Sequence, residues 1–306
     1  MAKYRKKRLT ASSKKDLGFQ LILLAWPVFQ FLLFYIYVNI NSVKLAFNFD
    51  KEVGNPFVYF ASAFNIDYLK GALTSVALWA ICSAISIPLA LIFAYYIYKK
   101  FFGSKFFRFM LFLPSIISAT VLIVIFKKFT DIDFLVIMHD VFKVADPVSI
   151  TSDKSPYAYV VVIGFYLFVN FGTTTLIYSN KMSEIPVEVS EAARLDGVNQ
   201  IQEFFHIALP GVWPTLSTFI VTGIATMFTN QYCLFTFFSS NLGKLGTGPL
   251  GYIIYNNVQG SFLSGYDSAS IVFHKMAALG LLATLVIIPL VFGAKYLLKK
   301  VGPSEA

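Results

Sequence analysis

An all-α integral membrane fold with six spanning helices is the architecture the sequence predicts, on three observations. Of 306 residues, 57% are hydrophobic and only 13% are charged, about half the charge of an ordinary soluble domain. Apolar stretches of about 18 or more residues recur along the chain, each long enough to cross roughly 30 Å of hydrocarbon with its backbone hydrogen bonds closed internally. Lys and Arg gather at the ends of those stretches, the distribution that orients a membrane protein.

The spans fall at Phe19 to Ile40, Ala72 to Tyr98, Phe109 to Phe126, Tyr157 to Tyr178, Thr215 to Phe238 and Ala269 to Ala294. The first follows a basic tail, as a signal peptide would. It outlasts an h-region, however, and ends in Val38-Asn39-Ile40-Asn41 without a small-residue cleavage site, so it reads as a true span. Sidedness comes from the flanks. Lys3, Arg5, Lys6, Lys7, Arg8, Lys14 and Lys15 in the tail, Lys99, Lys100, Lys105 and Arg108 after the second span, Lys181 and Arg194 after the fourth, and Lys295, Lys299 and Lys300 at the end all lie on one side. That side is expected to be cytoplasmic, with both termini inside.

The expected division is a basic cytoplasmic tail at 1–18, a first transmembrane helix with an external loop at 19–71, a transmembrane core at 72–298 that includes a cytoplasmic loop at 179–214, and a C-terminal tail at 299–306. Up to about Lys15 the tail is expected to be disordered. The net charge of +9 belongs to the membrane orientation, so lipid is an expected partner and nucleic acid is not. Cys82 and Cys233 each sit alone in an apolar run and read as packing residues. The external connections, near Asn41 to Gly71, Lys127 to Pro156 and Ser239 to Ser268, read as loops with short interfacial helices. Asp131, Asp133, Asp140, Asp146 and Asp153 in the second are too irregularly spaced for a calcium loop and read as solvated surface.

The cytoplasmic loop is the most informative stretch. Read physically, Ser183 to Pro210 is a helix, a break and a helix. Pro186 suits a first helical turn, Glu188 and Glu191 favour the positive N-terminal end, and Gly197 can take the left-handed conformation that stops a helix. Ile201, Phe204, Phe205 and Ala208 then recur at helical spacing until Leu209-Pro210, which is expected to end the second helix. Lying on headgroups would require a basic polar face. Here the polar residues Glu184, Glu188, Glu191, Asp196 and Glu203 are mostly acidic, which an anionic leaflet repels; a protein partner is favoured.

Glu191-Ala192-Ala193, then Asp196-Gly197, then Ile207-Ala208-Leu209-Pro210 resembles the EAA loop of ABC-importer permeases. Trp26-Pro27, Leu113-Pro114-Ser115, Gly246-Thr247-Gly248-Pro249, Tyr252-Ile253-Ile254-Tyr255 and Gly265-Tyr266-Asp267-Ser268-Ala269-Ser270 are similar to the sugar-type permeases of the maltose and glycerol-phosphate class, and to the first of the two permeases in it. Where that class commonly has Gly-Gly-Pro, this chain has Gly248-Pro249 after Thr247. The resemblance implies a type I ABC importer transmembrane domain whose first loop helix is a coupling helix docked on an ATPase. By position, Glu191, Ala192, Ala193, Asp196 and Gly197 would form the dock. It also implies four kinds of partner: an ATP-binding-cassette ATPase dimer, a second permease subunit in a heterodimer, an extracytoplasmic solute-binding protein, and lipid. ATP and Mg2+ would sit on the ATPase and no cofactor on this chain.

Two readings do not depend on the resemblance. No Gly-x-x-x-x-Gly-Lys-Ser/Thr run occurs, so this chain is not itself the ATPase. Apart from His274 and Lys275, the six spans carry no Asp, Glu, Lys, Arg or His, the groups that proton-coupled carriers need at membrane depth. That points to external energy and a neutral or weakly charged cargo, with a self-sufficient carrier or channel as the rival. Uncharged polar residues do occur mid-span. Tyr166 and Asn170 on the fourth, and Thr226, Asn230, Gln231 and Tyr232 on the fifth, are candidate contacts for a sugar's hydroxyls and apolar face. The last three are consecutive and would fan around a helix. Thr222, Thr226 and Thr229 form a hydroxyl stripe that helix packing would equally explain. Snorkelling explains Lys275 most simply, and a gate or substrate contact is the other possibility.

Overall fold

A computed structural model describes residues 11–47, 57–143, 149–151, 157–238, 242, 248–261 and 266–303. Arg5, Asp146, Asp153, Gly246, Thr247 and Gly265 lie outside them, as does most of the tail expected to be disordered. The described residues form helices and no strand: α1 (Ala11–Gln30), α2 (Val38–Phe47), α3 (Val58–Ala63), α4 (Ile66–Tyr98), α5 (Ser104–Ile116), α6 (Ala119–Lys128), α7 (Phe134–Asp140), α8 (Ala158–Met182), α9 (Val187–Leu195), α10 (Gln200–Glu203), α11 (Leu209–Thr226), α12 (Leu234–Phe238), α13 (Leu250–Ser261) and α14 (Tyr266–Val301). Helix α1 begins inside the tail, because Lys14, Lys15 and Asp16 continue the helix backward from the apolar run. π-Helical stretches at Phe31–Tyr37, Phe129–Asp133 and Phe204–Ala208 join α1 to α2, α6 to α7 and α10 to α11.

The helices long and apolar enough to cross a membrane are Gly18–Phe47, Ile66–Tyr98, Ala158–Met182, Gln200–Thr226 and Ser270–Val301, with a sixth if a bent pair counts as one span. That pair corrects the third expected span. Ser104–Ile116 and Ala119–Asp140 meet at 94°, because Ile117 and Ser118 leave the helical region with ψ of 140° and 129°. Pro114 sits just before the bend, where it removes the hydrogen bond to the Met110 carbonyl.

The fifth expected span is displaced. Its helix starts at Gln200, since Leu209-Pro210 does not stop it. A prolyl ring clashes with the carbonyl four residues back, and the wider π-helical turn at Phe204–Ala208 takes up that clash at His206. The helix ends at Thr226, twelve residues before Phe238. Asn230, Gln231 and Tyr232 therefore lie in a turn and do not fan around a helix.

The chain forms two compact units, Met1–Ala63 with Phe273–Leu281, and Phe64–Val272 with Leu282–Ala306. In the first, Phe47 packs against Phe57 and Phe60 with ring centroids 5.7 and 5.0 Å apart. His274 stacks flat on Tyr59 at 5.0 Å, and its Nδ1 donates to the Leu45 carbonyl at 2.6 Å. That carbonyl can only accept, so Nδ1 carries the proton. Phe19, Ile22 and Trp26 on α1 are well exposed, as a lipid-facing surface requires.

In the second unit, Leu78, Cys82, Val162, Phe165 and Phe237 centre one cluster, and Ala90, Ala94, Tyr178, Met182, Ala208 and Val212 centre another. Small residues in the second let α4, α8 and α11 approach closely, the packing mode available where lipid competes with every apolar contact. Closest of all is α8 on α5, where a Cβ on Gly172 would sit 1.9 Å from the Leu111 carbonyl oxygen. Asp131 departs from the surface expectation. It accepts hydrogen bonds from Ser149 and from Thr151 at 3.0 Å, and Thr151 is hydrogen-bonded to buried Thr130 at 2.8 Å. No group of residues suited to a metal ion occurs among the described residues.

Candidate functional site

Two places in the second unit carry the residues singled out by sequence. The first is the loop helix α9, whose N-cap is Pro186 and whose first turn holds Glu188. Its far end is closed by the chain's own backbone. Gly197 takes φ of +78°, its N–H donates to Arg194 at 3.1 Å, and Val198 N–H donates to Ala193 at 3.0 Å. This pair of reversed bonds is a Schellman closure, which needs a residue at ease in the left-handed region. Asn199 then opens the next helix with a capping box, exchanging hydrogen bonds of 2.8 and 2.9 Å with Gln202.

The five dock residues divide. Glu191, Ala192, Asp196 and Gly197 are exposed, and so are Val187 and Leu195, the latter at 90%. Ala193 is buried together with Ser190. Its small side chain thus lets α9 approach its own chain, and the exposed face carries Val187, Glu188, Glu191, Leu195 and one base, Arg194.

Glu203 corrects the reading of this segment. Sequence grouped it with the partner-facing acids, and grouped Lys99 with the flanking charges. Instead the two form an ion pair with side-chain exposures of 4% and 7%. Ser190 donates to Glu203 and accepts from Lys99 at 3.2 Å. The Tyr95 hydroxyl lies 3.3 Å from Glu203 and 3.1 Å from the Gln200 carbonyl, and Lys99 sits over the rings of Tyr95 and Tyr98. Every member has a partner, the condition under which a buried charge pair is tolerated.

The second place is a cavity of about 200 Å3 between α4, α8 and α11 and the turn after α11. Tyr166, Asn170, Thr226, Asn230 and Tyr232 all line it; Gln231 does not. Asn230 donates to the Tyr166 hydroxyl at 2.8 Å and accepts from Tyr232 N–H at 2.9 Å. The Tyr166 and Tyr232 rings meet edge to face at 5.0 Å. Tyr232 and Cys233 both hold left-handed backbone, at φ of 51° and 63°, a conformation costing about 1–2 kcal/mol for a residue with a Cβ. Asn170 and Thr226 spend one hydrogen bond each on a carbonyl of the preceding turn, leaving amide oxygen and hydroxyl lone pairs free for other donors.

The cavity also contains residues that sequence reasoning passed over. Trp79, Ser83 and Ser86 line it from α4, and their spacing of i, i+4 and i+7 was the available signal, the same one seen at Thr222, Thr226 and Thr229. Tyr178 also borders it, and its fully buried hydroxyl has no partner among the described residues. No charged side chain appears in the lining.

The chain as a whole is similar to known transport proteins. The family described as binding-protein-dependent transport system inner membrane component matches residues 86–304. The probable ABC transporter permease protein YurN of Bacillus subtilis is 29% identical over 221 residues, covering 65% of this chain and 69% of its own. The galactooligosaccharides transport system permease protein GanP of the same organism is 26% identical, covering 66% and 52%. The multiple sugar-binding transport system permease protein MsmF of Streptococcus mutans is 24% identical, covering 82% and 84%. Among solved structures, a chain of a bacterial alginate ABC transporter in complex with an alginate pentasaccharide-bound periplasmic protein superposes with a TM-score of 0.75 at 17% identity, covering 96% and 98%; that likeness is one of fold. A family match over most of the chain, together with several membrane-length helices, makes this a multi-pass membrane protein that belongs to the inner membrane component family of binding-protein-dependent transport systems.

Proposed function

We propose that the chain forms one half of the translocation pore of an ATP-driven importer for uncharged sugars or oligosaccharides. The observation that carries the cargo class is the cavity lining: indole, phenol, hydroxyl and amide groups with no charged side chain. Rings offer apolar platforms to sugar faces, while amides and hydroxyls exchange hydrogen bonds with sugar hydroxyls. An acidic glycan would call for basic groups at the cavity. The related proteins GanP and MsmF, whose names specify galactooligosaccharides and multiple sugars, support the same class.

Family membership supports the remaining parts of the reading. Both termini and α9 lie on the cytoplasmic side, in keeping with the charge flanks. The exposed face of α9, with Glu191, Ala192, Asp196 and Gly197, docks on one subunit of an ATPase dimer that carries ATP and Mg2+; this chain binds no cofactor of its own. A second, different permease completes the pore, and a solute-binding protein delivers cargo from outside. Nucleotide-driven closure of the ATPases draws the coupling helices together and opens the pore outward, and hydrolysis returns it. Each state's different affinity for cargo and nucleotide supplies the coupling.

The reading is tested by reconstituting the chain with a second permease, an ATPase and a binding protein from its own organism, then measuring uptake of radiolabelled galactotriose, arabinotriose and a triuronate. Import of a neutral trisaccharide that requires ATP is the expected result. Import of the triuronate alone would reverse the cargo assignment. Transport by this chain alone without ATP would replace the importer reading with that of a self-sufficient carrier.

A further inference from the structure

We propose that Lys99, Glu203, Ser190 and Tyr95 form an internal latch that makes α9 and the feet of two pore-lining helices move as one body, with Lys99 and Glu203 as positioning residues for transport. The inference rests on the importer reading above, and it concerns a contact inside this chain rather than the docking face.

The geometry singles out this cluster. Tyr95 and Lys99 stand at the end of α4, Ser190 lies on the buried face of α9, and Glu203 is one turn into the Gln200–Thr226 helix. Ser190 is the only one of the four on α9, and it both donates to Glu203 and accepts from Lys99. The loop helix is thus gripped from both sides by a single charge pair. The same two long helices line the cavity farther along, through Trp79, Ser83 and Ser86 on one and Thr226 on the other. At 1.5 Å per residue, Lys99 lies about 24 Å from Ser83, and Glu203 about 35 Å from Thr226. A push on α9 therefore has two continuous helices to act on, and both reach the cavity. The connecting turn alone would not give this. Residues Asp196 to Asn199 are a short loop closed by caps, and caps fix local shape without tying α9 to α4.

Burial explains why a charge pair suits the task. With water excluded, neither ion has a competing partner, so separating them is costly. Apolar side chains of similar size would fill the same space but could slide, because dispersion contacts are not directional.

The test uses the complete complex in proteoliposomes and reads ATP hydrolysed per galactotriose or arabinotriose imported. Lys99→Met/Glu203→Met leaves no buried charge unpaired, so the complex is expected to assemble and to hydrolyse ATP within twofold of the normal rate. Import per ATP should fall at least tenfold. The charge swap Lys99→Glu/Glu203→Lys should recover it to within threefold of wild type. An unchanged ratio in the double-Met complex overturns the latch, and so does a lower yield of complex with an unchanged ratio, since either would make the pair merely structural. Should the wild-type complex import neither sugar, the importer reading fails instead. The latch is then decided by spin labels at Glu188→Cys and Val76→Cys in a chain with Cys82→Ser and Cys233→Ser. A label separation that stays narrow with and without ATP, and broadens in the double-Met chain, supports it; equal widths in both chains overturn it.

Discussion

The end of α9 and the end of α11 are both helix stops, yet they are built on opposite plans. At α9 every bond that ends the helix is made within six residues: Gly197 turns left-handed, two backbone bonds close behind it, and Asn199 starts afresh. At α11 no glycine or proline marks the stop. Local bonds from the Thr229 and Asn230 N–H groups to Thr226 begin the turn, but Asn230 also reaches Tyr166 on a helix 64 residues away, and the turn carries two left-handed residues that both have side chains. A locally determined stop keeps its shape whatever docks on it. A stop tied also to a distant helix depends on its surroundings, which suits a cavity wall on the reading proposed above.

The largest expected effect breaks the local stop. Gly197→Val places a β-branched residue at φ of +78°, and uptake is expected to fall tenfold or more while the chain still inserts; normal uptake would remove α9 from the coupling path. Next comes the tertiary stop. Asn230→Ala strips a partner from both the Tyr166 hydroxyl and Tyr232 N–H, at about 1–3 kcal/mol for each buried group left unpaired. A lower melting temperature and a raised KM for the imported trisaccharide are expected. An unchanged KM would separate the turn from the cargo. Gln202→Ala removes one arm of the capping box, a single exposed hydrogen bond to the Asn199 N–H, and should cost about 0.5–1 kcal/mol, visible as a small drop in melting temperature with uptake retained. The smallest effect is expected at Gln231, whose buried Oε1 has no partner among the described residues and which does not line the cavity. Gln231→Met should leave uptake unchanged and the melting temperature equal or slightly higher, and a clear loss of uptake would return Gln231 to the substrate path.

The same contrast explains what was legible in the sequence. Gly197 and the approximate spans could be read, because left-handed turns and bilayer-length apolar runs are written in consecutive residues. Five of the six substrate-path candidates share one cavity because polar groups in an apolar run have few places to go. The 94° bend at Ile117 and Ser118, the stop at Thr226 and the burial of Glu203 were not legible. Each is decided by a neighbour distant in sequence or by a proline whose effect depends on packing. Pro210 shows this most clearly: it reads as a helix end, yet a wide turn just before it lets the helix continue. Lys99 and Glu203 each look like surface charges, and only their meeting across 104 residues reveals a buried pair.

Leu195, 90% exposed at the last position of α9, has a consequence for the cell rather than for the pore. On the importer reading proposed above, this side chain stays in water until the ATPase covers it, and meanwhile offers an apolar handle to proteases and chaperones. Copies made in excess of their companions should be short-lived, so the genes for the subunits gain from being expressed in step.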